Sequence, residues 1–208
     1  MPAYQWRRLQ PKQRALKLDH RMETGKIWHA PTHFPQNRWF HVTAACFEHR
    51  HHIGRSEERM WAFSKELLHV FRPPWGRWRG WCLLPNHYHV LAEVWVPLEI
   101  RKQIARLHGR NSHRWNVEEH STGRQVFHRS LLKEIRSPAH WWSTLNYIHH
   151  NPVHHGYVDT WGEWPFSSAV DFLHSVPSAT ARAVWRKYPV TGMGRNWDKV
   201  EPEEEGLP

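Results

Sequence analysis

The hydrophobic positions fall into short segments whose spacing alternates between that of strands and that of helices. Aromatic and β-branched residues fill positions 39–47, which predicts a strand. Ser56 is placed to cap a helix, with two glutamates in its first turn. The helix would bury a stripe at helical spacing, formed by Met60, Phe63, Leu67 and Val70. Two prolines, at positions 73 and 74, are expected to end it.

The alternation of strand-like and helix-like hydrophobic spacing continues through the middle of the chain. Positions 79–84 and 87–96 predict two strands joined by a turn, and a helix begins at Pro97 with three apolar residues on its inner face. Positions 125–127 predict a fourth strand, and Ser137 begins a helix that runs to about residue 150. The order predicts an α+β protein with a ferredoxin-like antiparallel sheet (βαββαβ), helices on one face and an additional C-terminal helix carrying Tyr147.

Charge divides the chain into three predicted regions. Residues 1–34 form a basic N-terminal arm, residues 35–170 a folded domain, and residues 171–208 a C-terminal extension. The extension ends in a short acidic tail, EPEEEGLP, which has the composition of a disordered segment.

Composition changes the expected partner. The 208 residues carry 29 Lys and Arg against 19 Asp and Glu, so the formal net charge is +10, which favours a polyanionic partner such as nucleic acid. Fifteen tryptophans would suit stacking on unpaired bases. Composition alone leaves open a second reading, a tryptophan-rich core under a solvated basic surface.

Several classes of protein are not expected. The chain contains no run of 18 or more apolar residues, so no membrane-spanning helix is expected. The N-terminus lacks the apolar region of a secretory signal. Two distant cysteines, Cys46 and Cys82, are typical of a reducing compartment, so we expect a cytoplasmic protein. No glycine-rich phosphate-binding motif occurs, so no nucleotide cofactor is expected.

The sharpest local feature is the run Leu-Pro-Asn-His-Tyr-His-Val at positions 84–90. On a strand, His87 and His89 would project from one face while Tyr88 points to the other. Two neutral imidazoles so placed can share one divalent ion. Because the chain contains 20 histidines, spacing alone leaves a metal site and two solvent-facing histidines both open.

A second feature is Tyr-Ile-His-His-Asn-Pro at positions 147–152. On a helix, Tyr147, His150 and Asn151 share one face. The alternative is a core tyrosine followed by an asparagine that ends the helix, because the proline restrains the residue before it. Spacing alone does not decide between these.

Taken together, the two motifs resemble those of a known family. LLPNHYHVLAEV is similar to the L-P-x-H-U-H motif of the HUH single-tyrosine transposases, where U is an apolar residue. The later segment resembles the C-terminal half of the REP-associated tyrosine transposases, with I-R, Y-I-x-x-N-P-V, a glycine and W-P-x-S-S in order. The resemblance covers roughly residues 35–170. The chain departs from the family where relatives often carry an acid before the I-R pair, since it has Leu131, Leu132 and Lys133 there, and where Phe127 replaces a common tryptophan.

The resemblance implies roles for particular residues. His87, His89 and Asn151 match the positions of the metal ligands, and Tyr147 matches the nucleophilic tyrosine. It implies Mg²⁺ or Mn²⁺ as cofactor. The tyrosine would attack a phosphodiester of single-stranded DNA beside a hairpin, forming a 5′-phosphotyrosine and freeing a 3′-hydroxyl for later strand transfer. Separately from the resemblance, His150 is a candidate for a residue that contacts Tyr147 without touching the substrate.

Lysines and arginines would hold the DNA backbone, each with a solvated surface cation as its alternative. The candidates lie on and after the second helix and in the arm: Arg101, Lys102, Arg106, Arg110, Arg114, Arg7, Arg8 and Arg14.

Three alternatives remain open at this stage. The first is a DNA- or RNA-binding protein that keeps the fold without cleavage, and the second is an HUH replication initiator or relaxase. The third is a separate zinc site in the histidine clusters around residues 49–52 and 149–155. The resemblance implies a monomer, with a dimer that exchanges tyrosine helices as the alternative.

Overall fold

The protein is described by a computed structural model over residues 38–190. The predicted basic arm, with Arg7, Arg8 and Arg14, and the acidic tail lie outside the described residues. Those that are described all fall within one contact unit, Gln36–Pro208.

Four antiparallel strands form one sheet. They are β1 (Arg38–Ala45), β2 (Gly76–Leu83), β3 (His87–Val94) and β4 (Leu131–Glu134), in the order β2–β3–β1–β4. The central strand β1 pairs with β3 on one side and β4 on the other. This order confirms the prediction of an α+β, ferredoxin-like sheet.

Within residues 38–190, five α-helices accompany the sheet. They are α1 (Glu57–Val70), α2 (Pro97–Glu118), α3 (Pro138–His154), α4 (Ala169–Ser175) and α5 (Ser178–Lys187). The Ser56 hydroxyl accepts a hydrogen bond from the backbone N–H of Arg59 at 3.2 Å, as expected of a helix cap. Ser137 caps α3 in the same way. No helix within residues 38–190 is long and apolar enough to cross a membrane.

The helices lie on both faces of the sheet. Side chains alternate along each strand, so Val42, Tyr88 and Val90 face α1 and α2 and form the larger core with them. The intervening positions face the other way, where Leu91 and Cys82 pack with Leu145 and Ile148 of α3. The two helices predicted for one face are therefore present there, and α3 covers the opposite face.

The predicted fourth strand is wrong. β4 spans Leu131–Glu134, whereas Phe127 makes only an isolated bridge with Cys46. Phe127 is instead a core residue, stacked on His108 at 4.0 Å and on Phe63 at 5.6 Å. Its apolar character reflects burial under the helices, while the edge strand that follows is largely exposed.

The predicted end of the tyrosine helix is also wrong. α3 continues through Pro152 to His154, so Asn151 lies inside the helix. The last turn closes because the N–H of His155 donates to the carbonyl of Asn151 at 3.1 Å and the N–H of Tyr157 donates to that of Pro152 at 2.9 Å. These bonds satisfy the carbonyls at the helix end without any contribution from the proline nitrogen.

Candidate active site

The paired histidines project from the face of β3 that α3 covers. His87 and His89 are both buried there. Tyr88 points the other way, and its hydroxyl lies 3.1 Å from Nε2 of His108 on α2. The strand alternation predicted for this motif is therefore present.

Helix α3 brings the second motif to the first. The ring of Tyr147 lies 5.2 Å from that of His89, measured between centroids. Oδ1 of Asn151, one helical turn further on, lies 2.9 Å from Nε2 of His87. Tyr147 and Asn151 are buried, at 4% and 0% exposure, between the helix and the sheet. Four residues from two distant motifs thus meet at one point.

Each histidine of the pair is held through its other ring nitrogen. Nδ1 of His87 lies 2.7 Å from Oδ1 of Asn86, in the turn before β3. Nδ1 of His89 lies 3.0 Å from Nε2 of His41, a buried residue of β1. The sequence analysis did not identify His41, because its position beside His89 depends on the register between β1 and β3. The signal available was its place on the same strand face as Trp39 and Thr43.

Burial keeps the imidazoles of His41 and His89 neutral. It lowers the pKa of His41 to about 3, with further lowering from the nearby Lys133 and His140. Burial likewise holds the pKa of His89 well below its ordinary value, with smaller contributions from His41 and His87. At neutral pH both rings are therefore uncharged, and only a neutral imidazole offers a ring lone pair to a metal ion.

The donor atoms are compatible with an octahedral cation such as Mg²⁺ or Mn²⁺. Nε2 of His89 is buried and has no hydrogen-bond partner among the described residues. The 2.9 Å between Nε2 of His87 and Oδ1 of Asn151 matches two adjacent ligands of an octahedral ion, which lie about 3 Å apart when both bonds are 2.0–2.1 Å. Within residues 38–190 no three His, Cys, Asp or Glu side chains are arranged to hold a metal.

Two contacts fix the position of α3 on the sheet. Near its start, Trp141 meets Trp39 of β1 edge-on, with ring centroids 5.7 Å apart. Further along, Nε2 of His149 lies 3.0 Å from the hydroxyl of Ser168, which also accepts a hydrogen bond from the backbone N–H of Trp81 at 2.9 Å. Ser168, the last residue of the W-P-x-S-S motif, therefore links the tyrosine helix to β2.

This link predicts a stability effect. Replacing Ser168 with alanine would leave the N–H of Trp81 and Nε2 of His149 buried without the hydroxyl. We expect the free energy of unfolding to fall by about 1–3 kcal/mol. Urea unfolding of Ser168→Ala measures it, with Ser175→Ala, an exposed serine of α4, as a control expected within about 0.5 kcal/mol of wild type. Equal losses in the two variants would contradict the structural role of Ser168.

The structure does not bring the predicted cations of α2 to this site. α2 packs on the opposite face of the sheet. Lys102 and Arg106 pair with Glu99, and Arg114 pairs with Glu66. Arg101 and Arg110 are exposed on the same helix.

His150 likewise lies away from Tyr147. Its Nδ1 accepts a hydrogen bond from the indole N–H of Trp161 at 3.3 Å, and its ring lies 5.0 Å from that of Trp185 in α5. His150 thus faces the helix that packs beside α3 instead of supporting the tyrosine.

Helix α5 carries cations that the sequence analysis did not identify as candidates. Its contacts with α3 follow one stripe of that helix, at Trp142, Asn146 and His150. Tyr147 and Asn151 lie one position further along, about 100° around the helix axis, so α5 flanks the site. The exposed side chains of α5 include three cations that form no ion pair among the described residues: Arg182, Arg186 and Lys187.

The antiparallel sheet with α3 across its second face defines the class of fold, and it is shared with a known structure. A solved structure of a REP-associated tyrosine transposase bound to a REP hairpin superposes with a TM-score of 0.52 at 19% identity, covering 84% of this chain and 99% of that one. At this identity the likeness shows the fold.

One curated relative adds a sequence match. A Haemophilus influenzae protein named as a REP-associated tyrosine transposase is 27% identical over 100 residues, covering 42% of this chain and 55% of the relative. The match therefore spans about half the relative's length. No protein-family model matches the chain. The chain is thus similar in sequence to that relative over this stretch and shares the fold of the solved structure.

Proposed function

We propose that the protein is a metal-dependent DNA transposase that cleaves and rejoins single-stranded DNA through Tyr147. The observation that carries the proposal is the meeting of Tyr147 and Asn151 with the buried pair His87 and His89. The motifs come from elements more than 50 residues apart, and packing of α3 on the sheet unites them. A core tyrosine and two solvent-facing histidines would not require that juxtaposition.

In the proposed reaction the phenol oxygen of Tyr147 attacks the phosphorus of a phosphodiester. The new bond joins that oxygen to phosphorus while the bond from phosphorus to the 3′ oxygen breaks. The phenol proton is released, and the leaving oxygen takes up a proton to become a 3′-hydroxyl. The bond energy stays in the 5′-phosphotyrosine, so attack by another 3′-hydroxyl rejoins the strand without ATP.

His87, His89 and Asn151 would hold the Mg²⁺ or Mn²⁺ ion. When bound, that ion supplies charge stabilisation to the phosphate oxygens and orients the phosphate. The residues themselves contribute position. β3 directs both imidazoles to one point, and α3 places the amide and the phenol one helical turn apart.

The proposed substrate is a DNA hairpin with an adjoining single strand. The structural neighbour is bound to a REP hairpin, and the chain has a net charge of +10. We assign the backbone contacts beside the site to α5, since this helix flanks the site and carries three exposed cations, whereas the α2 cations lie across the sheet. The family resemblance implies that the protein cleaves DNA as a monomer.

The direct test is incubation of the protein with hairpin DNA drawn from its own flanking sequence, with Mg²⁺ or Mn²⁺. We expect a covalent protein–DNA adduct on a denaturing gel, sensitive to EDTA, and a rejoined product when a second 3′ end is supplied. If hairpins from several flanking DNA sequences bind tightly but form no adduct with either ion, the protein would instead be a DNA-binding protein of the same fold.

The role of α5 predicts a salt-dependent loss of affinity. Replacing Arg182, Arg186 and Lys187 together with alanine should weaken hairpin binding at least about 10-fold and lower the salt dependence of log K by about 2, or about 0.7 per lost single-strand phosphate contact. Fluorescence anisotropy of a labelled hairpin over a KCl series measures both. Arg101→Ala with Arg110→Ala, on α2, is the matched control. A larger loss in that control would place the DNA on the other face of the sheet.

A further inference from the structure

The contact between His41 and His89 assigns a role to a residue outside the two motifs. We propose that His41 is a positioning residue that accepts a hydrogen bond from Nδ1–H of His89 and so holds that imidazole in the tautomer whose Nε2 can bind a metal ion. The inference rests on the proposed function only where it says that Nε2 of His89 binds a metal ion. The tautomer itself is a property of the protein alone.

The geometry restricts the pair to one shared proton. Nε2 of His41 and Nδ1 of His89 are 3.0 Å apart, a hydrogen-bond distance. Both side chains are buried, at 1% and 2% exposure, and burying a charged imidazole is costly. Two neutral imidazoles carry one N–H each, so at this contact one ring donates and the other accepts.

The surroundings of the far nitrogen decide the direction. If His41 donated, His89 would carry its own proton on Nε2, which is buried and has no acceptor among the described residues. A buried N–H without an acceptor is costly. If His89 donates from Nδ1, its Nε2 keeps a lone pair, and the rings of His87 and Tyr147 lie 5.0 and 5.2 Å from the His89 ring, measured between centroids. That nitrogen is then ready for a cation.

His87 also has a partner at Nδ1. That nitrogen lies 2.7 Å from the amide oxygen of Asn86, while Nε2 of His87 lies 2.9 Å from Oδ1 of Asn151. Both histidines therefore have a partner at Nδ1. Outer partners of this kind fix ring orientation and raise the basicity of the metal-binding nitrogen. β1 supplies the grip for His89 because Thr43 of that strand pairs with His89 and places His41 two residues away on the same face.

The test measures the tautomer without DNA or metal. Long-range ¹H–¹⁵N correlation spectra of ¹⁵N-histidine-labelled protein report which ring nitrogen is protonated, and the signals of His89 are assigned by their loss in His89→Gln. We expect the proton on Nδ1 in wild type. In His41→Phe we expect loss of that fixed tautomer and about 10–100-fold weaker Mn²⁺ binding by calorimetry, as for other outer partners of metal ligands.

Two further variants separate positioning from packing. His41→Gln keeps an acceptor oxygen, so we expect it to restore Nδ1 protonation and most of the Mn²⁺ affinity. His108→Phe replaces a buried histidine on the other face of the sheet and keeps its stack on Phe127, so it should change neither readout. A wild-type proton on Nε2 of His89, or unchanged Mn²⁺ affinity in folded His41→Phe, would overturn the proposal. Absence of DNA cleavage would count against the proposed function and leave the tautomer result intact.

Discussion

Tyr147→Phe is expected to abolish the covalent protein–DNA adduct. Phenylalanine keeps the ring that packs 5.2 Å from His89 and 6.0 Å from His41, so the fold and the metal-binding residues should be unaffected. It removes only the oxygen that would bond to phosphorus. We expect the rate of strand cleavage to fall at least about 1,000-fold, as is usual when a nucleophile is removed. Quenched reactions with 5′- and 3′-labelled hairpin DNA, resolved on denaturing gels, measure it.

Tyr157→Phe is the matched control for this prediction. Tyr157 follows the tyrosine helix and packs on Trp164, and its half-buried ring lies 6.5 Å from that of His155. We expect this variant to cleave like wild type. Hairpin affinity should be the same in both variants, because neither removes a cation. An adduct that persists in Tyr147→Phe would show that another residue is the nucleophile.

Removal of a metal ligand should have the second large effect. The substitution His89→Ala removes Nε2 of His89, the nitrogen that has no hydrogen-bond partner among the described residues, while Asn151 and His87 remain in contact. We expect Mn²⁺ affinity to fall more than about 100-fold, because loss of an outer partner alone costs 10–100-fold. Cleavage at a fixed low Mn²⁺ concentration should fall in parallel. Calorimetry with Mn²⁺ and cleavage over a Mn²⁺ series measure the two quantities.

The control for metal binding is His154→Ala, at the end of α3, the helix that carries Asn151. His154 is exposed, so its loss should leave Mn²⁺ affinity and cleavage unchanged. Partial recovery of His89→Ala cleavage at high Mn²⁺ would agree with a weakened site. Undiminished Mn²⁺ affinity in His89→Ala would mean that the ion binds elsewhere, and the assignment of the histidine pair would then be wrong.

Local patterns were most informative where one element decides the outcome. Alternation along β3 separates the faces of His87 and Tyr88 without knowledge of any neighbour, and the structure has them on opposite faces. The cap at Ser56 and the helix start at Ser137 depend on backbone within the same turn and were also predicted correctly. In the same way, the buried stripe of α2 at Ile100, Ile104 and Leu107 follows from helical spacing alone.

Predictions failed where contacts outside the local pattern decide. Phe127 has the apolar character of a strand residue, but its side chain packs into the space between α1, α2 and the sheet. Asn151 precedes a proline that locally favours a helix end, but the N–H groups of His155 and Tyr157 close one more turn. DNA binding by the cations of α2 stays a prediction. They were chosen by charge and helix face, and neither property indicates on which side of the sheet a helix lies.

The chain's order of elements, its paired-histidine strand and its tyrosine helix follow from spacing, because periodicity and capping act within a few residues. The partners of those elements do not. His41 meets His89 through strand register, Ser168 holds α3 through a contact with His149, and the cations of α5 flank the site because Asn146 bonds the end of that helix. Each of these contacts joins residues far apart in the chain, and only packing of the complete fold brings them within hydrogen-bond reach.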